Sequence, residues 1–255
     1  MTDVALLVDP PREGLVAEGL SDETPLSADE AADLYEAAVK DTARAVAASG
    51  GQLLVNYRTE ESLPEPHRED EGTALETTRD LIAAALADVS GAEDPRFEPQ
   101  VGSTFAARAG NTVTHLLEEE DATSAAVLRG TTPLLERTHV DSAAMKLRSS
   151  ETVLGPTPGG SVHYAGFAEP LDFADAYDEP ALETLTDRAV AADHDVDYVP
   201  MLPRIDTPAG LATTVSTIRA RAAAERTVPY YTATLIDDLS LHVEADDGAP
   251  RLVTK

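Results

Sequence analysis

The run Pro203-Arg204-Ile205-Asp206-Thr207-Pro208 sets an arginine two residues from an aspartate, directly before a Thr-Pro pair that suits a helix start. A carboxylate in such a loop is a hard-cation ligand, and metal-assisted transfer from a nucleotide needs Mg2+ or Mn2+ on one or two carboxylates. Asp9, Glu13, Glu18, Glu136 and Asp206 are the acids in comparable loops, and Asp206 is the strongest metal and catalytic candidate among them. The competing reading is an acid that serves only the following helix. Arg12, Arg108, Arg129 and Arg204 are of the type that grips phosphate or carboxylate with two parallel donors. Their competing reading is a surface arginine paired with one of many carboxylates. His163 follows Gly159-Gly160 in an apolar stretch, where an imidazole titrating at roughly 6.5 serves as a general base or packs as a neutral core group.

Other chemistries are absent from the chain. There is no cysteine, so thiolate and disulfide chemistry are excluded. No H-x-x-x-H, H-E-x-x-H, G-x-S-x-G, G-x-G-x-x-G or Walker motif occurs.

The elements that must position these residues alternate. Short apolar runs at Val4–Val8, Gln52–Tyr57, Ser124–Leu128, Glu151–Leu154 and Val162–Phe167 read as strands. Arg96–Pro99 and Met201-Leu202 read as two more short extended pieces. Between them, helical spacing predicts helices from Ser27 to about Ala48, over Thr78–Asp88, Phe105–Glu118, His139–Leu147, Pro180–Asp193 and Leu211–Glu225. Ser27 and Glu30 form a capping box. Residues 58–76 read as an acidic surface insertion, and Thr232–Leu239 fits helix or strand equally. Asp246-Asp247-Gly248 reads as a turn in a tail whose packing the sequence leaves open. Strands alternating with helices imply a mostly parallel α/β sheet covered on both faces, in one domain over residues 1–240 with a tail at 241–255. In such sheets ligands sit beyond the carboxyl ends of the strands, so the loops at 9–20, 129–137, 155–161 and 203–208 are the ones to watch.

Composition bounds the partners. Asp and Glu number 47 against 19 Lys and Arg, for a net charge of -28. Such a surface repels nucleic acid and anionic membranes. Carboxylates spread over the whole chain, with few lysines, fit a cytoplasm at molar salt of the archaeal type, where the screening length falls to roughly 3 Å. No apolar run approaches the ~20 residues of a membrane span, and no secretory leader is legible, so a soluble cytoplasmic protein is expected.

Several short stretches recur in a familiar order. They are PREGLVAEGL at 11–20, Ala32-Asp33-Leu34-Tyr35 with Asp41-Thr42, Gln100-Val101-Gly102 through Phe105 to Arg108, and Arg129-Gly130-Thr131-Thr132-Pro133. Gly155-Pro156 with Gly160 and Gly166, and Asp206-Thr207-Pro208, complete the set. Over roughly residues 3–240 the chain resembles the GT-A-fold nucleotide-diphospho-sugar transferase-like proteins. Within them it is similar to the small prokaryotic group labelled radical-SAM-associated transferases or glycosyltransferases, with phospholactate guanylyltransferase a more distant relative. The resemblance implies a GT-A-like, Rossmann-like three-layer sandwich with a mostly parallel mixed sheet. It implies a nucleotide or nucleotide-sugar ligand contacted by Arg12, Gly14, Arg108, Arg129, Thr131, Thr132, Gly159, Gly160 and Arg204, and Mg2+ or Mn2+ if the chain is active.

The charged positions of that pattern are largely lost. Its K-T-R after the first loop is Ala17, Glu18 and Gly19, the acid of its G-S-D-S-P loop is Thr131, and the first acid of its D-x-D-T-P is Arg204. The acid of its Gly-rich turn is gone, with Pro158 or Gly159 in its place. Two readings stay open: a glycosyl- or nucleotidyl-transferase, or a catalytically inactive relative that binds an anion, a nucleotide or another protein.

Overall fold

The computed structural model describes residues 1–91, 94–246 and 249–254. Among these residues seven strands form one sheet: β1 (Thr2–Val8), β2 (Gln52–Tyr57), β3 (Arg96–Pro99), β4 (Ser124–Arg129), β5 (Thr152–Pro156), β6 (Val162–Phe167) and β7 (Val196–Tyr198). Their order across the sheet is β3-β2-β1-β4-β6-β5-β7. Every described pairing is parallel except the two that β6 makes with β4 and β5. Strand order reverses between β1 and β4, so the loops leaving these two strands flank the switch point where such sheets bind ligands.

Alternation in β1 sends its side chains to two separate cores. Val4, Leu6 and Val8 face helices α2 (Ala28–Ala47), α3 (Thr73–Leu86), α5 (Arg137–Lys146), α7 (Pro208–Ala223) and α8 (Tyr230–Asp238). Ala5 and Leu7 face α4 (Phe105–Thr114) and α6 (Ala181–Ala191). Burial on both faces explains why the strands read as continuous apolar runs. The result is the three-layer α/β/α sandwich expected from the sequence.

Local departures have local causes. The first loop contains a short helix, α1 (Glu18–Glu23), where the sequence suggested only loop; Ala17 turns into the left-handed region at φ 52° and Leu20 is driven into the core. Helix α3 begins at Thr73 rather than Thr78, because the Glu60 carboxylate accepts the Ala74 amide at 2.8 Å and caps the first turn from fourteen residues upstream. The segment read as a surface insertion is therefore anchored: Glu60 and Leu63 are both buried. The last parallel strand is Val196–Tyr198, not Met201-Leu202. Val199 and Leu202 still donate to Leu154 and Pro156, but Pro200 and Pro203 have no amide with which to continue a ladder. Phe105–Glu118 is α-helical only to Thr114 and continues as a π turn over His115–Glu119.

The ambiguous segment at 232–239 is helix α8, whose start is held by Asp41: its carboxylate accepts the amides of Tyr231 and Thr232 at 3.1 and 2.7 Å. The tail is a hairpin, β8 (Leu241–Asp246) with β9 (Ala249–Thr254), packed on α7 with Leu241 and Leu252 in the core. Of the expected turn at 246–248, Asp247 and Gly248 lie outside the described residues.

Candidate functional site

The four loops singled out in the sequence leave the same edge of the sheet. Arg129 is the last residue of β4. Its guanidinium lies 3.6 Å from the centroid of Phe105, the first residue of α4. Tyr177 meets the same ring edge-on at 4.8 Å. Burial, and then the neighbouring charge of Arg204, push the Arg129 pKa down to about 10. Asp206 and Glu179 favour its charge from beyond ion-pairing distance. Among the described residues the Arg129 side chain has no hydrogen-bond or ion-pair partner, and its guanidinium stacks on the Phe105 face.

Arg204 and Asp206 grip one another. Arg204 Nε donates to Asp206 Oδ1 at 3.0 Å, one terminal nitrogen binds Oδ2, and the other donates to the Ser161 hydroxyl at 2.7 Å. Both are largely buried. Both carboxylate oxygens of the expected metal ligand are thus occupied by a guanidinium. Thr131, which stands where the resemblance implies an acid, is buried, and the hydroxyls of Thr131 and Thr132 have no partner among the described residues. The Thr131 carbonyl accepts the Ile205 amide at 2.9 Å, tying the β4 loop to the Arg204–Asp206 loop. This donor set suits a divalent cation poorly: Arg204 holds Asp206, Thr131 and Thr132 offer neutral hydroxyls, and the Asp9 carboxylate lies 3.5 Å from Arg58.

Arg108 lies on α4 beside this group. It is buried, its Nε has no partner, and burial lowers its pKa, with Asp9 acting in the opposite sense. Tyr35, brought in by α2, accepts the Asp9 amide at 3.0 Å. Its phenol is pushed up by burial and by the charges of Asp9 and Asp206.

Four residues expected at the ligand make other contacts. Arg12 donates to both oxygens of Glu60, at 2.9 and 2.6 Å, and to the His67 carbonyl at 2.5 Å, with Glu69 3.4 Å away. That bridge holds the Glu60 carboxyl down at about 2. Gly14 takes φ +69° and turns beside His67, so it serves the same clamp. Gly159 and Gly160 take φ +90° and +87°, values that favour glycine, and the Gly160 carbonyl accepts the Leu182 amide at 2.8 Å. The Gly-rich stretch is a hairpin turn docked on the start of α6.

His163 packs as a core group. Register shifts by one residue opposite Gly155 and Pro156, which leaves His163 as the extra residue of a bulge. It is 1 % exposed and its Nε2 lies 3.1 Å from the Pro200 carbonyl, so that nitrogen carries the proton and donates. Nδ1 is buried without a partner, and burial pushes the imidazole down to about 4.

Sequence reasoning missed Phe105 and Tyr177 as ring partners of Arg129, and Gln100, whose amide donates to the Val8 and Asn56 carbonyls at the ends of β1 and β2 at 2.9 and 2.8 Å. Gln100 stood in a matched motif without an assigned task. Phe105 stood in the same stretch, but nothing local marks its meeting with Tyr177, because the two lie in distant parts of the chain. Elsewhere, at the edge strand β3, Glu98, His115 and Glu120 bring ligand atoms within 4.8 Å of one another, a grouping able to hold a metal. Arg96 already bridges Glu98 and Glu120.

No protein-family model matches the chain, and no curated protein does. Solved structures do. A Desulfovibrio desulfuricans protein labelled a nucleotide-diphospho-sugar transferase superposes with TM-score 0.73 at 16 % identity, covering 93 % of this chain and 94 % of that one. A Leptospira borgpetersenii cytidylyltransferase covers 93 % and 94 % at 9 % identity with TM-score 0.47. A manganese complex from Mycobacterium tuberculosis covers 82 % and 95 % at 13 % identity with TM-score 0.42. The chain has the GT-A-like fold of the nucleotide-diphospho-sugar transferase-like proteins. No described helix is long and apolar enough to cross a membrane.

Proposed function

We propose that this chain is a metal-independent binder of a phosphate-bearing nucleotide or nucleotide-sugar, built on a transferase fold. One observation carries the reading: Arg129, half-buried at the switch-point edge, keeps its charge over Phe105 without an acidic partner. A chain with 47 acids has carboxylates to spare for pairing every arginine. A guanidinium left unpaired beside a second one, with two partnerless threonine hydroxyls nearby, is a receptor for an external anion.

The residues have distinct roles. Arg129 is the primary anion contact, pre-oriented by stacking. Arg204 is the second, reached once the anion replaces Asp206 on its fork. Thr131 and Thr132 offer hydroxyl donors to phosphate oxygens, and Arg108 adds positive potential from beneath. The resemblance implies acids at positions 131 and 204, where this chain has Thr and Arg, and that disfavours metal-supported transfer. Glycosyl or nucleotidyl transfer is the reading that the fold alone favours, and fold does not establish activity.

The test is calorimetric titration of the whole chain with UDP, GDP and CDP and their sugar conjugates, at about 2–3 M KCl to screen the acidic surface. Binding that is unchanged by Mn2+ and lost in Arg129→Ala supports the proposal. Binding that requires Mn2+ and is lost in Asp206→Ala, with Arg129→Ala unaffected, would replace it with metal-dependent transfer. No heat with any nucleotide overturns both.

A further inference from the structure

A further cavity lies on the α2 side of the sheet, against the loop that leaves β4. About 490 Å³ opens where the carboxyl half of α2, the loop after β4, the end of α7 and the loop into α8 converge. That volume is within the range of small-ligand pockets, roughly 300–1,000 Å³. Its walls are mainly apolar, from Ala45, Ala48, Val89, Leu134, Leu135 and Val228. Its charged lining is Arg44, Arg137 and Arg221 with Asp41 and Glu136, and each arginine is paired with a carboxylate.

The five charged groups are not equivalent. Asp41 is committed, accepting the first amides of α8 from a buried position. Glu136 meets Arg221 at 2.8 Å, and the two side chains are 48 % and 33 % exposed. Arg137 reaches Asp141 at 3.0 Å with its own side chain 65 % exposed. Arg44 pairs with Asp88, which is 74 % exposed, and also donates to the Ala85 carbonyl at 2.7 Å. Exposed pairs of this kind are weak, so an incoming anion exchanges for the partner carboxylate at little cost. An apolar chamber with exchangeable arginines at its rim selects a molecule with a hydrocarbon body and an anionic end.

We infer that this cavity is a second ligand site, taking a small amphipathic carboxylate whose apolar body lies against Leu134, Leu135 and Val228 and whose anionic end meets Arg221 and Arg137. The inference stands apart from the nucleotide proposal: no residue is shared between the two sites. They are joined only by the chain, since Leu134 and Leu135 follow Thr131 and Thr132 in the loop after β4.

The chain has no tryptophan, so Tyr230→Trp, at a lining position 65 % exposed, places a single indole reporter at the mouth. Octanoate is titrated into this variant in molar KCl, with octanol as the uncharged match. Expected are a saturable change in indole emission with octanoate, weaker response to octanol, and affinity lowered about tenfold by Arg221→Gln. Arg129→Ala leaves octanoate binding unchanged. Titration of the unsubstituted chain by calorimetry gives the same answer without the reporter. Absence of saturable octanoate binding in both formats overturns the inference, as does octanol binding equally well with no effect of Arg221→Gln.

Discussion

Arg204 and Asp206, two residues apart in sequence, close on each other through a two-pronged contact, with Arg204 Nε donating to Asp206 Oδ1 at 3.0 Å. An arginine that the resemblance would have as an acid pairs with the neighbouring acid, and in the proposed site Arg204 is therefore an anion contact masked by Asp206. The consequences separate the two functional readings.

Asp206→Ala unmasks Arg204. In the arginine-site reading, nucleotide affinity rises by about tenfold, because the ligand no longer competes with a built-in carboxylate. Metal-dependent transfer requires the opposite sign. Calorimetry on this one variant, with and without Mn2+, discriminates between them.

Arg129→Ala abolishes nucleotide binding but changes stability by about 1 kcal/mol or less. The side chain has no hydrogen-bond partner to orphan, and removing a desolvated cation offsets the lost stacking on Phe105. Chemical denaturation gives the stability term and ligand-induced thermal shift the binding term.

His163 imposes an acid limb on stability. Its folded pKa, about 4, lies below the ordinary value of 6.5, so the neutral form is the one the fold holds. Its contribution is fully present above about pH 6.5 and is lost as pH falls toward 4, by about 3 kcal/mol over that window. Denaturation between pH 7 and 4 measures it. His163→Asn flattens the limb; an unchanged slope in that variant rejects the assignment.

Glu60 governs a lower window. Its carboxyl is held near 2 by Arg12, against an ordinary 4.5, so its contribution is present above pH 4.5 and disappears as pH falls through 2. Glu60→Gln leaves a buried guanidinium facing a neutral amide and destabilises the chain by about 2–4 kcal/mol, while nucleotide affinity stays the same. A loss of affinity would return Arg12 to the ligand site.

Melting temperature rises with KCl between about 0.1 and 3 M, because self-repulsion of a -28 chain is screened over that range. A melting temperature independent of salt argues against a high-salt origin for the acidic surface.

The sequence by itself determined the layers. Period-two and period-3.6 patterns, the Ser27–Glu30 capping box and the Thr207-Pro208 helix start are local signals. They place β1, β2, β4, β6, α2 and α7 close to where they stand, because burial on both faces and backbone capping depend on neighbours in the chain. It also showed which loops share an edge, and the resemblance implied that charged positions had changed type. Partnership was decided by tertiary structure. Arg12, Arg129 and Arg204 are equally arginine in sequence, yet one is consumed by Glu60, one by Asp206, and one is left over an aromatic ring. His163 alternates like a strand residue, but a one-residue bulge in β6 turns it into the protein and against the Pro200 carbonyl. Charge and hydrogen-bonding energies depend on distances between groups far apart in the chain and on how much water reaches them. Neither quantity exists until the chain has folded.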